Sequence, residues 1–174
     1  MEPRIVDKDR MLLLGFSFFG DPFQFSGDWS EENEIGRLWK RFMAYLEKRV
    51  AHIHNISPEH VFYEVHIYHE ETISKGLFEI FVGLQVTSLE DVPVDLLVKI
   101  LPPTRYAVFT LKGQQITSDW HLMIHDWLEA AGYRATGAYS FQYYDQRFKG
   151  LDQLDASSLD VYIPLQDGVQ ETPS

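Results

Sequence analysis

One pattern of strand, amphipathic helix, strand and strand is written twice along this chain, and no other feature constrains the fold as strongly. Residues 11–19, an apolar and aromatic run, predict a strand. Trp39, Phe42, Met43 and Leu46 follow at helical spacing, and residues 61–69 and 77–86 predict two further strands. The second copy opens with a strand over residues 105–111 and continues with a helix carrying Trp120, Met123, Ile124 and Trp127. Strands over residues 138–148 and 158–165 complete it. A doubled sheet-and-helix unit leaves a cleft on its internal axis, and clefts are where small molecules bind.

The first helix carries Ile35, Leu38, Trp39, Phe42, Met43, Leu46 and Val50 as one stripe. Ser30 is its expected cap, with Glu31, Glu32 and Glu34 at the positive end of the dipole and Lys48 and Arg49 at the negative end. The second helix starts after Thr117-Ser118-Asp119, any of which could cap it, and stops at Gly132. In residues 61–69, Val61, Tyr63, Val65 and Ile67 alternate with Phe62, Glu64, His66 and Tyr68. In residues 159–165, Leu159, Val161, Ile163 and Leu165 form the apolar set, opposite Asp160 and Tyr162. Turns at residues 90–95 and 101–104 flank a short strand over 96–100. Apolar sheet faces need a cover, and two amphipathic helices supply it. The expected fold is α+β: duplicated strand–helix–strand–strand units forming an antiparallel sheet, two long helices on one side, and a central pocket.

A chain of 174 residues, 45% hydrophobic and 14% aromatic, fits one packed domain, expected over residues 1–168 with a flexible tail over 169–174. It has no cysteine, which excludes disulfides, thiol nucleophiles and thiolate metal sites. A net charge of −11 argues against general phosphate-backbone binding, so no direct nucleic-acid contact is expected. The first residues lack a secretory pattern and no apolar run is long enough for a bilayer, which points to a cytoplasmic protein with no membrane partner.

Catalytic and metal signatures are weak. His121 and His125 share a helical face, but no third ligand is fixed by spacing, so no metal site is expected. No Gly-x-Ser-x-Gly elbow and no glycine-rich phosphate cradle is present. Aromatic residues dominate instead: 12 Phe, 9 Tyr and 4 Trp, enough to line a pocket for flat, apolar or cationic molecules.

Three stretches carry a resemblance: residues 105–113, the helix end Trp127-Leu-Glu-Ala-Ala-Gly-Tyr133, and residues 141–148 followed by 159–165. They resemble the effector-binding domain of the gyrase-inhibitor-like superfamily, which also forms the drug-sensing half of AraC-type and MerR-type activators. Leu38-Trp-Lys-Arg-Phe42 and Phe78-Glu-Ile-Phe-Val-Gly83 are similar to its first half. The stand-alone, integron-cassette-type effector-binding proteins look nearest. The resemblance implies a pseudo-two-fold fold and a central aromatic pocket for small, often cationic, lipophilic molecules. In regulators of this family a glutamate on the penultimate strand meets the ligand's charge, and the aligned position here is Gln142.

The resulting expectation is a non-enzymatic effector-binding protein without its own DNA-binding domain and without a cofactor. Trp39, Phe42, Tyr63, Tyr106, Trp120, Trp127 and Tyr144 are the expected walls, with Gln142 as the polar contact. Pairing Phe62 with Phe141 turns Glu64 away from Gln142, and Glu79 shares that weakness, so neither half offers an inward carboxylate. A neutral aromatic ligand therefore ranks close behind a cationic one. Two alternatives remain open: a hydrolase of electrophilic small molecules in the same pocket, and a gyrase-inhibitor-like interaction module. The latter leaves room for a protein partner or a homo-oligomer.

Overall fold

The computed structural model describes residues 2–23 and 32–166. Eight strands and three α-helices are formed among them: β1 (Arg4–Lys8), β2 (Met11–Gly20), α1 (Glu34–Arg49), β3 (Phe62–Ile67), α2 (Glu70–Lys75), β4 (Phe78–Val86), β5 (Leu97–Leu101), β6 (Thr104–Lys112), α3 (Trp120–Ala130), β7 (Tyr139–Tyr144) and β8 (Ser158–Pro164). The doubled pattern is present as β2-α1-β3-β4 and β6-α3-β7-β8. β1 and the short α2 were not foreseen. No helix among the described residues is long and apolar enough to cross a membrane.

All strands join one antiparallel sheet in the order β1-β6-β8-β7-β3-β4-β2-β5. The two halves meet at the β3–β7 pairing in its middle. The leading strand of each half leaves its own half: β1 adds to β6 of the second, and β5 adds to β2 of the first. Only Asp9 and Arg10 separate β1 from β2, and only Pro102 and Pro103 separate β5 from β6. Such connectors reach at most about 11 Å, so strands far apart in sheet order must come close in space. The sheet therefore curls on itself.

Curling gives the sheet two buried faces. The inner face packs Met11 and Leu13 of β2, Tyr63, Phe81, Leu101, Tyr106, Phe141 and Tyr162 into one core without any helix. The opposite face holds two cores, one under α1 and one under α3. Leu38, Phe42 and Leu46 of α1 meet Leu14, Ile80 and Val82, while Trp120, Ile124 and Leu128 of α3 meet Phe109, Leu111 and Val161. Full burial of a side chain such as Phe42 contributes about 1.5–3 kcal/mol.

The ends of α1 differ from expectation. Asn33 is its N-cap, its side chain accepting from the Gly36 amide at 2.9 Å, whereas Ser30 and Glu31 lie outside the described residues. Val50 falls past the helix and, like Met43, is exposed. At α3, Asp119 takes the N-cap position, and Gly132 adopts φ +71° at the stop. Gly15 of β2 and Gly83 of β4 are register partners. A Cβ on Gly15 would overlap the Val82 carbonyl oxygen, and one on Gly83 the carbonyl oxygen of Leu14. These two glycines let the strands approach. The expected tail over 169–174 and most of the segment before α1 lie outside the described residues.

Candidate functional site

A cavity of about 1560 Å³ lies between α1, the start of α3 and the middle of the sheet. Its floor is the junction of the two halves. Antiparallel pairing places Phe62 against Tyr144, Glu64 against Gln142 and His66 against Ser140. Alternation then sends Phe62, Glu64 and His66 to the helix-covered face, with Gln142 and Tyr144 beside them. The expected pairing of Phe62 with Phe141 is thus overturned, and with it the absence of an inward carboxylate. Glu64 is 1% exposed and faces the cavity.

Its carboxylate is held from three sides. Trp39 Nε1 on α1 donates to Oε2 at 2.6 Å. His66 Nε2 lies 2.7 Å from Oε1, and Gln142 Nε2 donates to the same oxygen at 3.4 Å. Tyr144 in turn donates its hydroxyl to Gln142 Oε1 at 2.7 Å. Among the described residues no buried side-chain nitrogen or oxygen lacks a partner, as burial of polar groups requires. Burial, and then the neighbouring charge of Glu64, hold the Tyr144 hydroxyl well above the usual tyrosine range.

Aromatic rings frame this acid. Trp39 meets Tyr144 edge-on at 5.3 Å between centroids and Phe62 at 6.3 Å, while Tyr144 meets Phe148 at 4.9 Å. Across the cavity Trp120 stacks on His121 at 3.9 Å. Partial burial, and next the neighbouring charge of His66, push the His121 pKa below the ordinary histidine value against the pull of Asp119. A carboxylate enclosed by the faces and edges of four large rings can hold a positive charge on an otherwise apolar body.

Of the eight residues singled out from the sequence, Trp39, Trp120, Gln142 and Tyr144 come together around this cavity. Phe42 is fully buried beneath α1, against Phe16 and Phe62. Trp127 stacks on Tyr133 at 5.8 Å and packs edge-on to Phe109. Tyr63 and Tyr106 point into the helix-free inner core, where their hydroxyls meet Gln85 at 2.7 Å and Tyr139 at 2.7 Å. Glu64 and His66 line the cavity as well but are not among the residues singled out from the sequence. The Phe62/Glu64/His66 alternation was the available signal, because a charged residue in mid-strand needs partners on its own face.

The model of the integron-associated effector binding protein family matches residues 4–165. The chain is 33% identical over 168 residues to the transcriptional regulator BrlR of Pseudomonas aeruginosa, a match covering 95% of this chain and 56% of BrlR. It thus spans just over half the length of that regulator. Among solved structures, SAV2435 bound to tetraphenylphosphonium superposes with a TM-score of 0.68 at 14% identity, covering 96% of this chain and 95% of that one. A hydrolase from Listeria innocua superposes with a TM-score of 0.56 at 14% identity, covering 95% and 92%. At such identities the two structures share the fold with this protein. With the duplicated unit, the curled sheet and a family match along almost its whole length, the chain belongs to the integron-associated effector binding proteins.

Proposed function

We propose that this protein binds a small lipophilic cation in the cavity, with Glu64 as its counter-charge. The observation that carries this reading is the placement of Glu64: a carboxylate 1% exposed, on the cavity floor, walled by Trp39, Phe62 and Tyr144. A hydrated cation gains little there, whereas a delocalised or alkylated one keeps its apolar surface out of water while meeting the charge. Gln142 contributes by orienting the acid and the Tyr144 hydroxyl rather than by supplying charge. Further acidic residues lining the cavity, Glu59, Asp119 and Asp152, favour the approach of a cation. The tetraphenylphosphonium bound to SAV2435 is a ligand of this chemical kind. In this reading the protein acts as the sensing part of a regulatory system.

Titrating tetraphenylphosphonium while following tryptophan emission tests the proposal. Saturable quenching is expected, with affinity reduced about tenfold or more in Glu64→Gln, the loss usual for a charge-assisted contact. Equal affinity in both proteins would overturn the assignment of Glu64, and no binding at any concentration would overturn the function.

A second reading has one observation in its favour. The Glu64 carboxylate and the Tyr144 hydroxyl share the cavity and interact electrostatically, which is the pairing a hydrolase of electrophilic small molecules needs for general-base chemistry. Turnover of such a substrate, lost in Tyr144→Phe with binding retained, would favour it over simple binding.

A further inference from the structure

Glu64 does not face the cavity alone. His66 Nε2 lies 2.7 Å from its Oε1, and the two side chains are 1% and 11% exposed. They are two residues apart on β3, so both line the cavity on the same face. A carboxylate beside a neutral imidazole leaves one negative charge for a ligand to meet. A carboxylate beside an imidazolium leaves none at that point of the floor, and only the acids of the cavity wall remain.

We infer that His66 is the specificity-determining residue for ligand charge. With His66 neutral, the cavity takes a lipophilic cation at Glu64. With His66 protonated, the counter-charge is already in place, and the same aromatic walls take an uncharged aromatic molecule. This rests on the reading of the cavity as a cation site.

The surroundings of His66 support its role as the partner that matters. From β4, Phe78 packs against its ring at 5.6 Å, and Ile80 is its register partner. From β7 the neighbouring groups are Ser140, Gln142 and Tyr144, all formally uncharged. The start of α3 brings His121 and Asp119, α1 brings Lys40, and the segments before β3 and after β7 bring Glu59, His60, Asp145 and Asp152 to the cavity wall. Of these, only Glu64 is within ion-pair distance of the imidazole among the described residues.

A proton on His66 and a cation in the cavity compete for the same carboxylate. Cation affinity therefore falls when His66 takes up a proton, and by reciprocity a bound cation disfavours that proton. Neutral ligands are indifferent to the exchange or favoured by it.

The experiment uses a biphenyl bearing a trimethylammonium group, its tert-butyl isostere, and histidine-resolved NMR of the whole protein. The cation's affinity is expected to rise about tenfold or more from about pH 5.5 to about pH 8.5, while that of the isostere stays level or falls. The His66 resonances should titrate to a lower midpoint in the cation complex than in the free protein. In His66→Gln the preference for the cation should persist at low pH. Cation affinity that is flat across this range, or a His66 midpoint unmoved by the cation, would overturn the inference while leaving the cation site standing. Failure of the cation to bind at any pH would overturn the underlying reading. Should His66→Gln not fold, the midpoint shift in the natural protein still decides.

Discussion

The indole Nε1 of Trp39 donates to Oε2 of Glu64 at 2.6 Å, so one wall of the cavity and its charge are a single hydrogen-bonded unit. α1 supplies the donor and β3 the acceptor. A ligand that engages the carboxylate must therefore disturb the indole too. Tryptophan emission consequently reports on the acid and not merely on occupancy of the cavity.

Replacing Trp39 by Phe keeps an apolar ring on α1 but removes the donor. Glu64 then stays buried with one oxygen deprived of its partner, and stability should fall by about 1–3 kcal/mol. Urea unfolding measures this, and a change within about 0.5 kcal/mol, the level of an ordinary surface substitution, would contradict it.

The two faces of the sheet separate two tyrosines by role. Tyr63→Phe removes a hydrogen bond to Gln85 on the helix-free face. It should lower stability by about 1 kcal/mol and leave tetraphenylphosphonium affinity essentially as it was. Tyr144→Phe acts inside the cavity, frees Gln142 Oε1, and should change the affinity. Parallel fluorescence titrations compare them; the reverse ranking would place the site on the wrong face.

Asp160 anchors the far edge of the sheet. It is 3% exposed and accepts from Arg147 Nη2 at 2.8 Å, Arg4 Nη2 at 3.2 Å and Thr110 Oγ1 at 2.6 Å, tying β1, β6 and β8 together. Because the Arg147 side chain is 38% exposed, water takes over part of the lost pairing. Asp160→Ala should therefore cost about 1–3 kcal/mol rather than the larger penalty of a fully buried pair. Hydrogen exchange should rise first in β1.

Acid should destabilise the protein through two carboxylates that basic neighbours hold in their charged form. Burial would raise the pKa of Glu79, but the hydrogen bonds of Lys99 and Ser17 and the charges of Lys99 and His69 outweigh it and hold the carboxyl below its ordinary 4.5. Asp145 is likewise held below 3.8, the effect of burial being exceeded by Arg147. In each case the unfolded chain binds the proton more readily. Stability from these groups is then full above the unfolded values and is lost as pH falls through the lower folded ones. Thermal melts from neutral pH downward should show a plateau that gives way below about pH 4.5, the unfolded value for a glutamate.

Gly15→Ala should be among the most damaging single changes. Its Cβ would collide with the Val82 carbonyl oxygen, which is backbone and cannot swing aside. A loss above about 3 kcal/mol is expected, since the β2–β4 ladder itself must separate. Urea denaturation or soluble yield measures it.

The duplicated units and both helical stripes were legible because helical and strand periodicities are local. Trp39 and Trp120 fall on the two helices, as that periodicity implies. The faces of the strands were not. Alternation in β3 separates Tyr63 from Glu64 but says nothing of which set meets the helices, because curling buries both. The more apolar set went to the inner core, and the set with Glu64 and His66 went under α1. The β3–β7 register, which sets Glu64 beside Gln142, is a contact between residues 64 and 142 that no local pattern encodes. β1 escaped notice for a related reason: Arg4–Lys8 is short, charged and half-exposed, and becomes a strand only by adding to β6.

The exchange of β1 and β5 between the halves has a consequence for how the molecule could be divided. Cut at the connection between β4 and β5, each fragment would carry an edge strand whose proper berth lies on the other fragment. Two such pieces could rebuild the sheet only as an interlocked pair, each completing its companion. The covalent link makes that embrace intramolecular, replacing a concentration-dependent assembly with one whose effective concentration is set by the length of the connector. The cavity floor, with one acid from the first piece and one amide from the second, exists only once the embrace is complete.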